Sequence, residues 1–432
     1  MPSTAADTAA DTASSLSGST SATPKGMRLH IGLFGRRNVG KSSLLNALVR
    51  QDISIVSNVA GTTADPVEKA MELLPLGPVL FIDTAGVDDE GALGALRIEK
   101  TRLTFDRTDL ALLVAEEGVW SAFEDGLLAE FERRKTPVIV VFNKGDLGVP
   151  DQRRREELTA RGFGVASTCA RTGQGLDDVR TLLIERAPES LFADRPILSD
   201  LVGPGELAIL VTPIDKEAPR GRLILPQVQS IRDLLDAQAL ALVTTEKTLP
   251  SALSHLKALP KLVVTDSQAF REVDAMLPEG VPLTSFSILF ARLKGELAIQ
   301  AEGTLALDAL KPGDRVLIAE ACAHHPIGED IGRVKIPRWL NQKVGGALNF
   351  ETVQGRDFPD DLTPYAMVIH CGACTFNRRG MLSRIERCQR QGVPISNYGL
   401  AIAAALGILD KALGPFPDVH RRYLEKRAAS KG

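Results

Sequence analysis

A chain of 432 residues is too long for one ordinary core and is expected to divide into several domains. With 51 basic and 54 acidic side chains the net charge is −3, and aromatics make up only 5% of residues. The basic face and the stacking platforms that nucleic acid demands are therefore not expected. The most apolar stretch, Gly399 to Leu409, is far shorter than the roughly 20 residues needed to cross a bilayer, so no membrane partner is expected.

Residues 1–27 are mostly Ala, Ser, Thr and Asp and read as a disordered leader. They lack the apolar core of a signal peptide and the arginines of a mitochondrial transit peptide. The five cysteines, three of them beside histidines, suit a metal in a reducing compartment better than disulfides. A cytoplasmic location is expected.

A short apolar strand, Leu29 to Phe34, runs into Gly35-Arg-Arg-Asn38-Val39-Gly40-Lys41-Ser42, and the segment from Ser43 to Arg50 has helical spacing. This is the strand–loop–helix context of a phosphate loop. Its glycines let backbone N–H groups turn onto the β-phosphate, Lys41 reaches the β- and γ-phosphates, and Ser42 ligates Mg²⁺. Gly61-Thr62-Thr63 follows in a polar loop, where Thr63 can complete the Mg²⁺ shell. The strand Leu80 to Ile82 ends in Asp83-Thr84-Ala85-Gly86, in which Asp83 holds the metal through water and the Gly86 N–H senses the γ-phosphate. After the strand Pro137 to Phe142 comes Asn143-Lys144-Gly145-Asp146. The Asp146 carboxylate can accept from guanine N1 and N2 together, which adenine cannot offer. These motifs in order predict a GTPase binding GTP/GDP and Mg²⁺ over residues 28–188.

This segment resembles the translation-factor-like GTPases, in their tRNA-modification and ribosome-assembly branch. The resemblance implies nucleotide contacts from Gly35, Asn38, Val39, Gly40, Lys41, Ser42, Ser43, Asp83, Gly86, Asn143, Lys144, Asp146 and Ala170, and catalysis by Lys41, Asn38 and Thr63. Asn38 matches the asparagine with which related GTPases hold K⁺ in place of an arginine finger, so K⁺-stimulated hydrolysis is implied. Val87 stands where small signalling GTPases carry a water-positioning glutamine, so intrinsic turnover should be slow. The family's Ser-Ala-Lys is here Cys169-Ala170-Arg171. The Ala170 N–H is expected to contact guanine O6, with Cys169 a small core-facing residue.

Ala187 to Gly205 reads as a linker. Beyond it Leu207 to Val211 reads as a strand, Val228 to Ala237 as a helix, Ala239 to Val243 as a strand, Leu249 to Leu259 as a helix and Leu262 to Thr265 as a third strand. This alternation implies a small parallel sheet. The module, residues 195–277, shows no catalytic residues and is expected to join copies of the chain as a homodimer.

Residues 278–420 form the last predicted domain, with a charged tail at 421–432. Two apolar runs, Arg315 to Ala319 and Tyr365 to Ile369, read as buried strands. Cys322 and His324 leave the first, and Cys371-Gly372-Ala373-Cys374 leaves the second. If the strands are parallel neighbours, both groups meet at one sheet edge. Thiolates at this spacing suit either a structural Cys₃His zinc site or a three-cysteine [4Fe–4S] cluster with one exchangeable position. His325 and His370 are further imidazoles nearby. Cys388 is expected in packing, and His30, His255 and His420 as surface or core residues.

A GTPase followed by Cys-x-His and then Cys-Gly-x-Cys resembles the [FeFe]-hydrogenase maturation GTPases. The resemblance runs from residue 28 over nearly the whole chain. It implies an α/β fold: a P-loop GTPase domain followed by two smaller α/β domains with mainly parallel sheets, for dimerisation and cluster binding. It implies a [4Fe–4S] cluster on Cys322, Cys371 and Cys374, with His324 a candidate fourth ligand. It further implies a scaffold that receives a di-iron precursor made with two radical-SAM maturases and delivers it to apo-[FeFe]-hydrogenase. The alternative is a ribosome- or tRNA-acting GTPase with a structural zinc site. The precursor could sit at the open cluster position or beside Arg378 and Arg379, which read equally as solvated.

Overall fold

The structure, a computed structural model, describes residues 23–51, 57–59, 67–84, 103–188, 195–214, 223–321, 330–355 and 357–430. Thr63, Gly86, Val87, Cys322, His324 and His325 lie outside the described residues.

Fifteen described strands build three sheets. The first contains β1 (Leu29–Phe34), β2 (Ser57–Val59), β3 (Val67–Leu73), β4 (Gly77–Asp83), β5 (Leu110–Glu116), β6 (Val138–Asn143) and β7 (Gly164–Ser167). Their order is β2-β3-β4-β1-β5-β6-β7, with β2, β3 and β4 antiparallel in sequence and the rest parallel. Strands β1, β5 and β6 are near-continuous runs of buried residues, as a sheet covered on both faces requires. Leu33, Leu112 and Val141 fill one face, and Phe34, Leu113 and Val140 the other.

The second sheet orders β8 (Leu207–Val211), β9 (Leu240–Thr244), β10 (Leu262–Thr265) and β11 (Leu283–Ser285) as β11-β10-β8-β9, all parallel. The helix expected from Leu249 stops at Ser254 rather than Leu259. The Ser251 carbonyl accepts there from Ser254 Oγ at 2.8 Å and from His255 Nδ1 at 2.7 Å, so side chains take up the end of the helix. Strand β9 is the open edge, with Leu240 55% and Val243 43% exposed.

The third sheet orders β12 (Arg315–Glu320), β13 (Asn349–Gln354), β14 (Met367–His370) and β15 (Ile395–Asn397) as β13-β12-β14-β15, again all parallel. The second and third sheets share one apolar core, in which Leu210 and Val264 meet Phe290, Ile318, Met367 and Leu400. The charged end of the chain lies within the helix Pro417–Ala429, whose Tyr423 is buried. The mainly parallel α/β architecture expected from the sequence is what the chain adopts.

The first and third sheets meet along a polar seam. Asp109, just before β5, accepts on one oxygen from the His30 backbone N–H at 2.9 Å and from Asn377 Nδ2 at 3.0 Å. Asn377 also donates to the Arg107 carbonyl at 2.8 Å, while its Oδ1 caps the helix Arg378–Arg390. Nearby, Lys294 donates to the Gly26 carbonyl. Gly26 must be glycine here, because a Cβ would lie 2.5 Å from the Phe376 carbonyl oxygen. Arg378 binds the carbonyls of Leu293 and Gly295 and the Glu296 carboxylate, and Arg379 binds the Arg134 carbonyl and Thr136. These two arginines act as structural ties rather than as freely solvated side chains.

Burial pushes the Asp109 carboxyl up to about 6, against the His30 and Asn377 bonds and the charges of Arg379 and Lys294, which pull it down. A carboxyl raised on folding stabilises most below its unfolded value and loses that contribution as pH climbs through about 6. Asp109→Asn keeps an acceptor but removes the titration. Its melting temperature relative to the unmodified chain should rise between pH 5 and pH 8 by about one to three degrees, the equivalent of about 1.4 kcal/mol. A gap that stays constant across that range contradicts this reading of the seam.

Candidate functional site

The register Leu33↔Asp83 between the parallel strands β1 and β4 places their following loops side by side at one sheet edge. The loop after β1 turns through left-handed backbone at Asn38 (φ 63°) and Gly40 (φ 93°), and helix α1 (Lys41–Gln51) begins at once. A side chain at Gly40 would put a Cβ 2.3 Å from Asn143 Nδ2. The N-terminus of α1 thus faces the loop with its N–H groups, a ready anion site. Lys41 is buried at 6% exposure, and its ammonium donates to the Gly35 and Arg36 carbonyls at 2.8 and 2.6 Å. Asn38 and Ser43 are exposed and Val39 is buried. Asparagine is among the few side chains that tolerate left-handed backbone, so the turn alone gives Asn38 a structural reason to be there.

Ser42 Oγ donates to Asp83 Oδ2 at 2.5 Å, bringing two of the three residues expected around Mg²⁺ together. Asp83 Oδ1 is buried without a hydrogen-bond partner, and burial raises the carboxyl above its ordinary value. A divalent cation supplies the charge this oxygen lacks, so the pair fits Mg²⁺.

Asn143, at the end of β6, ties three loops. Its Nδ2 donates to the Val39 carbonyl at 2.9 Å, and its Oδ1 accepts from Thr168 Oγ1 and from the Ala170 N–H, both at 3.1 Å. The Ala170 N–H expected on guanine O6 is therefore engaged by Asn143. Lys144, with φ 63°, pairs with Glu116 at 2.8 Å. Asp146 accepts from the Cys169 thiol at 3.2 Å and from Arg171 at 2.8 Å, and these contacts, the thiol's first, hold its carboxyl below the usual range. Cys169 is buried as expected, yet its thiol also holds the Asp146 carboxylate expected to read the base. That role was invisible in the sequence, where Cys169 and Arg171 show only as departures from the motif.

At the third sheet, β12 and β14 are parallel neighbours with Ala319 opposite His370. The Ala321 N–H donates to Cys371 Sγ at 3.1 Å, so the chain that leads into Cys322 passes directly beside that sulfur. Ala373 takes a left-handed φ of 53°, which turns the Cys371-to-Cys374 loop tightly. Burial, and then the neighbouring Cys371, push the Cys374 thiol up to about 11, so in the bare protein it keeps its proton. Among the described residues no group of three metal-ligating side chains gathers. Two cysteines in a tight turn at a strand end are nevertheless a donor set suited to zinc or iron–sulfur, because a bound metal displaces the thiol protons.

His370 does not join this donor set. It is fully buried, with Nδ1 at 2.9 Å from the Cys371 carbonyl and Nε2 at 2.8 Å from an Arg384 N–H. Those partners place the proton on Nδ1 and the lone pair toward the guanidinium. Burial and Arg384 pull its pKa down to about 3, so it is neutral and both nitrogens are used. His370 and Arg384 position the cysteine loop. Cys388 is buried in packing, as expected.

Known proteins match this arrangement in three pieces. Residues 30–144 match the 50S ribosome-binding GTPase family, residues 197–295 the hydrogen maturase F dimerization domain and residues 298–415 the hydrogen maturase F tetramerization domain. The chain belongs to the hydrogen maturase F family. The tRNA modification GTPase MnmE of Bordetella parapertussis is 38% identical over 181 residues, which cover 40% of this chain and 36% of that protein. GTPase Der of Wolinella succinogenes is 41% identical over 126 residues, covering 28% of this chain and 26% of its own. The chain thus spans about a third of the length of these relatives. The G domain of the T. maritima FeoB iron transporter is 27% identical and covers 37% of this chain and 99% of its own, with a TM-score of 0.29. Aquifex aeolicus Era is 17% identical and covers 76% of this chain and 92% of its own, with a TM-score of 0.32. The chain therefore joins a P-loop GTPase domain, fit for GTP/GDP and Mg²⁺, to two oligomerisation domains. No described helix is long and apolar enough to cross a membrane.

Proposed function

We propose that this chain is a GTP-hydrolysing scaffold of hydrogenase maturation in the cytoplasm. It holds a [4Fe–4S] cluster on Cys322, Cys371 and Cys374, with His324 as an exchangeable fourth ligand. It receives a di-iron precursor from two radical-SAM maturases and delivers it to apo-[FeFe]-hydrogenase. The observation that carries the reading is the Ala321–Cys371 contact, which brings the run-up to Cys322 against the cysteine turn on the adjacent strand. When bound, the cluster supplies an iron position at which a further ligand can be held and released. The chain's own part is to present the thiols, to hold their loop through His370 and Arg384, and to bury it against the GTPase domain at Asn377. The zinc-and-RNA alternative draws only on the GTPase domain and the cysteine turn, which both readings share.

At the nucleotide, Lys41 and the α1 N-terminus neutralise phosphate charge, Ser42 and Asp83 with Thr63 hold Mg²⁺, Asn38 holds K⁺ and Asp146 reads guanine. The residue span 28–188 is the proposed GTPase unit; the dimerisation unit expected at 195–277 is better drawn through β11 to about residue 295, which the second sheet and the family match support, and the cluster unit follows to 420. Incubation of the metal-loaded chain with apo-[FeFe]-hydrogenase should switch on hydrogen evolution. Inactive hydrogenase after transfer from a demonstrably loaded chain sinks the delivery reading.

Strand β9 is the proposed joining edge of the homodimer. Its exposed Leu240 and Val243 stand on opposite faces of the strand, and Val228 and Leu235 of the helix Leu225–Asp236 are exposed as well, so apolar side chains surround an edge strand. Leu240→Lys with Val243→Lys should convert the dimer largely to monomer in light scattering while leaving GTP turnover in place. An unchanged mass moves the interface elsewhere.

A further inference from the structure

The helix Phe286–Lys294 lies along the cysteine turn. A Cβ added at Gly372 would stand 3.8 Å from Ser287 Oγ and 3.9 Å from Phe290 Cβ, so these two side chains cover the turn. Lys294 follows Phe290 by four residues and continues the same helix face. At the near end Asn397 Nδ2 donates to the Ser287 carbonyl at 3.2 Å and to its Oγ at 3.0 Å, which fixes that face against β15. At the far end the short turn Lys25–Met27 closes over it. A Cβ at Gly26 would stand 3.2 Å from the Cys374 carbonyl oxygen, so this turn packs directly on the cysteine loop.

Lys294 is 3% exposed, and its ammonium donates to neutral atoms, the Gly26 carbonyl and Met27 Sδ, the latter at 3.3 Å. Among the described residues no carboxylate bonds it. Burial pulls its pKa down to about 8, while the charges of Asp109 and then Cys374 pull it back, so it is charged at neutral pH. Asp109 already accepts from the His30 N–H and from Asn377, and burial opposes its ionisation. The other anion is the thiolate of Cys374, and Lys294 in turn eases the ionisation of that thiol against its burial. Cys371 has a cation of its own in Arg384. Each thiol of the turn thus has a buried cation beside it. A buried charge spent on neutral atoms is costly, and a permanent anion nearby offsets that cost.

We propose that Lys294 is the counter-charge of the Cys374 thiolate in the metal-loaded chain. The proposal rests on the metal-holding part of the scaffold reading and adds the residue that balances its charge. A metal takes Cys374 only as the thiolate, so a proton must leave on binding. A fixed cation lowers the free energy of that thiolate and strengthens metal uptake at neutral pH. With an iron–sulfur cluster in place, one-electron reduction adds a negative charge at the turn, and the same cation favours the reduced form. A charged ammonium has no lone pair, so Lys294 acts on the thiolate's charge and not as a ligand.

The test uses the full-length chain with Lys294→Gln, Lys294→Arg and Met27→Leu, each checked for folding by its melting curve. The first keeps a donor for Gly26 and removes the charge; the other two disturb the same contact and keep the charge. Zinc affinity of the metal-free chain is read at neutral pH by competition with a chromophoric chelator. The reconstituted chain is reduced stepwise at an electrode under anaerobic conditions, and the reduced-cluster resonance is followed. Lys294→Gln should bind zinc about tenfold or more weakly. At a fixed potential its oxidised-to-reduced ratio should rise about tenfold, a shift of about 59 mV to more negative potential for one electron. Lys294→Arg and Met27→Leu should stay within about threefold of the unmodified chain in both readouts. Zinc affinity and potential both unchanged in Lys294→Gln overturn the proposal. An equal loss in Met27→Leu overturns it too, because packing then explains the effect. In a chain that assembles no cluster, zinc affinity that falls with Lys294→Gln and holds with Met27→Leu supports the counter-charge and removes the cluster from the scaffold reading.

Discussion

Lys41→Ala is expected to lower GTP turnover by about two to three orders of magnitude, the usual cost of losing one preorganised charge at the transferring phosphate. The ammonium sits inside the loop rather than on it, 6% exposed and held by the Gly35 and Arg36 carbonyls. Those carbonyls fix where the charge stands before any phosphate arrives, so little reorganisation is needed on binding. Among the described residues Lys144 is committed to Glu116 and Arg36 to Glu124, so neither replaces it directly. Phosphate release under saturating GTP measures the effect, with circular dichroism to confirm folding. Turnover within tenfold of the unmodified chain would mean that the loop stabilises the transition state through its backbone alone.

The second large effect is expected in base selectivity. Asp146→Asn should weaken GTP binding by about a hundredfold and allow xanthosine triphosphate to be used instead. A carboxylate accepts from guanine N1–H and N2–H at once, whereas an amide must turn one donor toward a donor. Xanthine carries an oxygen where guanine carries the amino group, and so restores the match. In this chain Asp146 is steadied by the Cys169 thiol and Arg171, which hold the carboxylate in its charged form. The swap therefore also loses one of those donors, and part of the affinity loss should persist with either nucleotide. Competition between GTP and xanthosine triphosphate measures it, and unchanged preference for GTP would relocate guanine reading away from Asp146.

The parts of this fold that were legible in the sequence are those whose chemistry is local. The phosphate loop, the β4 end at Asp83 and the β6 end at Asn143 each join a buried apolar strand to a loop of fixed residue types, and each emerges where its motif says. The runs before Cys322 and Cys371 were legible for the same reason, and their parallel pairing follows. The site's supports were not. Asn377 reaches Asp109 across 268 residues of chain, and no spacing in either segment announces that contact. His370 reads as one more metal-binding imidazole until Arg384, fourteen residues on along a helix, takes its second nitrogen. Strand β11, Leu283–Ser285, is too short to show a period, so the segment that completes the second sheet read as the opening of the next domain. His30 reads as an unremarkable strand residue, and only the seam gives it a cavity to face.

The central claim is that a GTPase domain is docked on a cysteine turn built to hold iron and sulfur. The most direct measurement is iron and zinc content of the anaerobically reconstituted chain, with electron paramagnetic resonance after reduction, for the unmodified chain and for Cys371→Ser. The account predicts about four irons per chain and a reduced [4Fe–4S] resonance, lost in Cys371→Ser while GTP turnover survives. One zinc per chain, with no iron and no resonance after reconstitution, contradicts it.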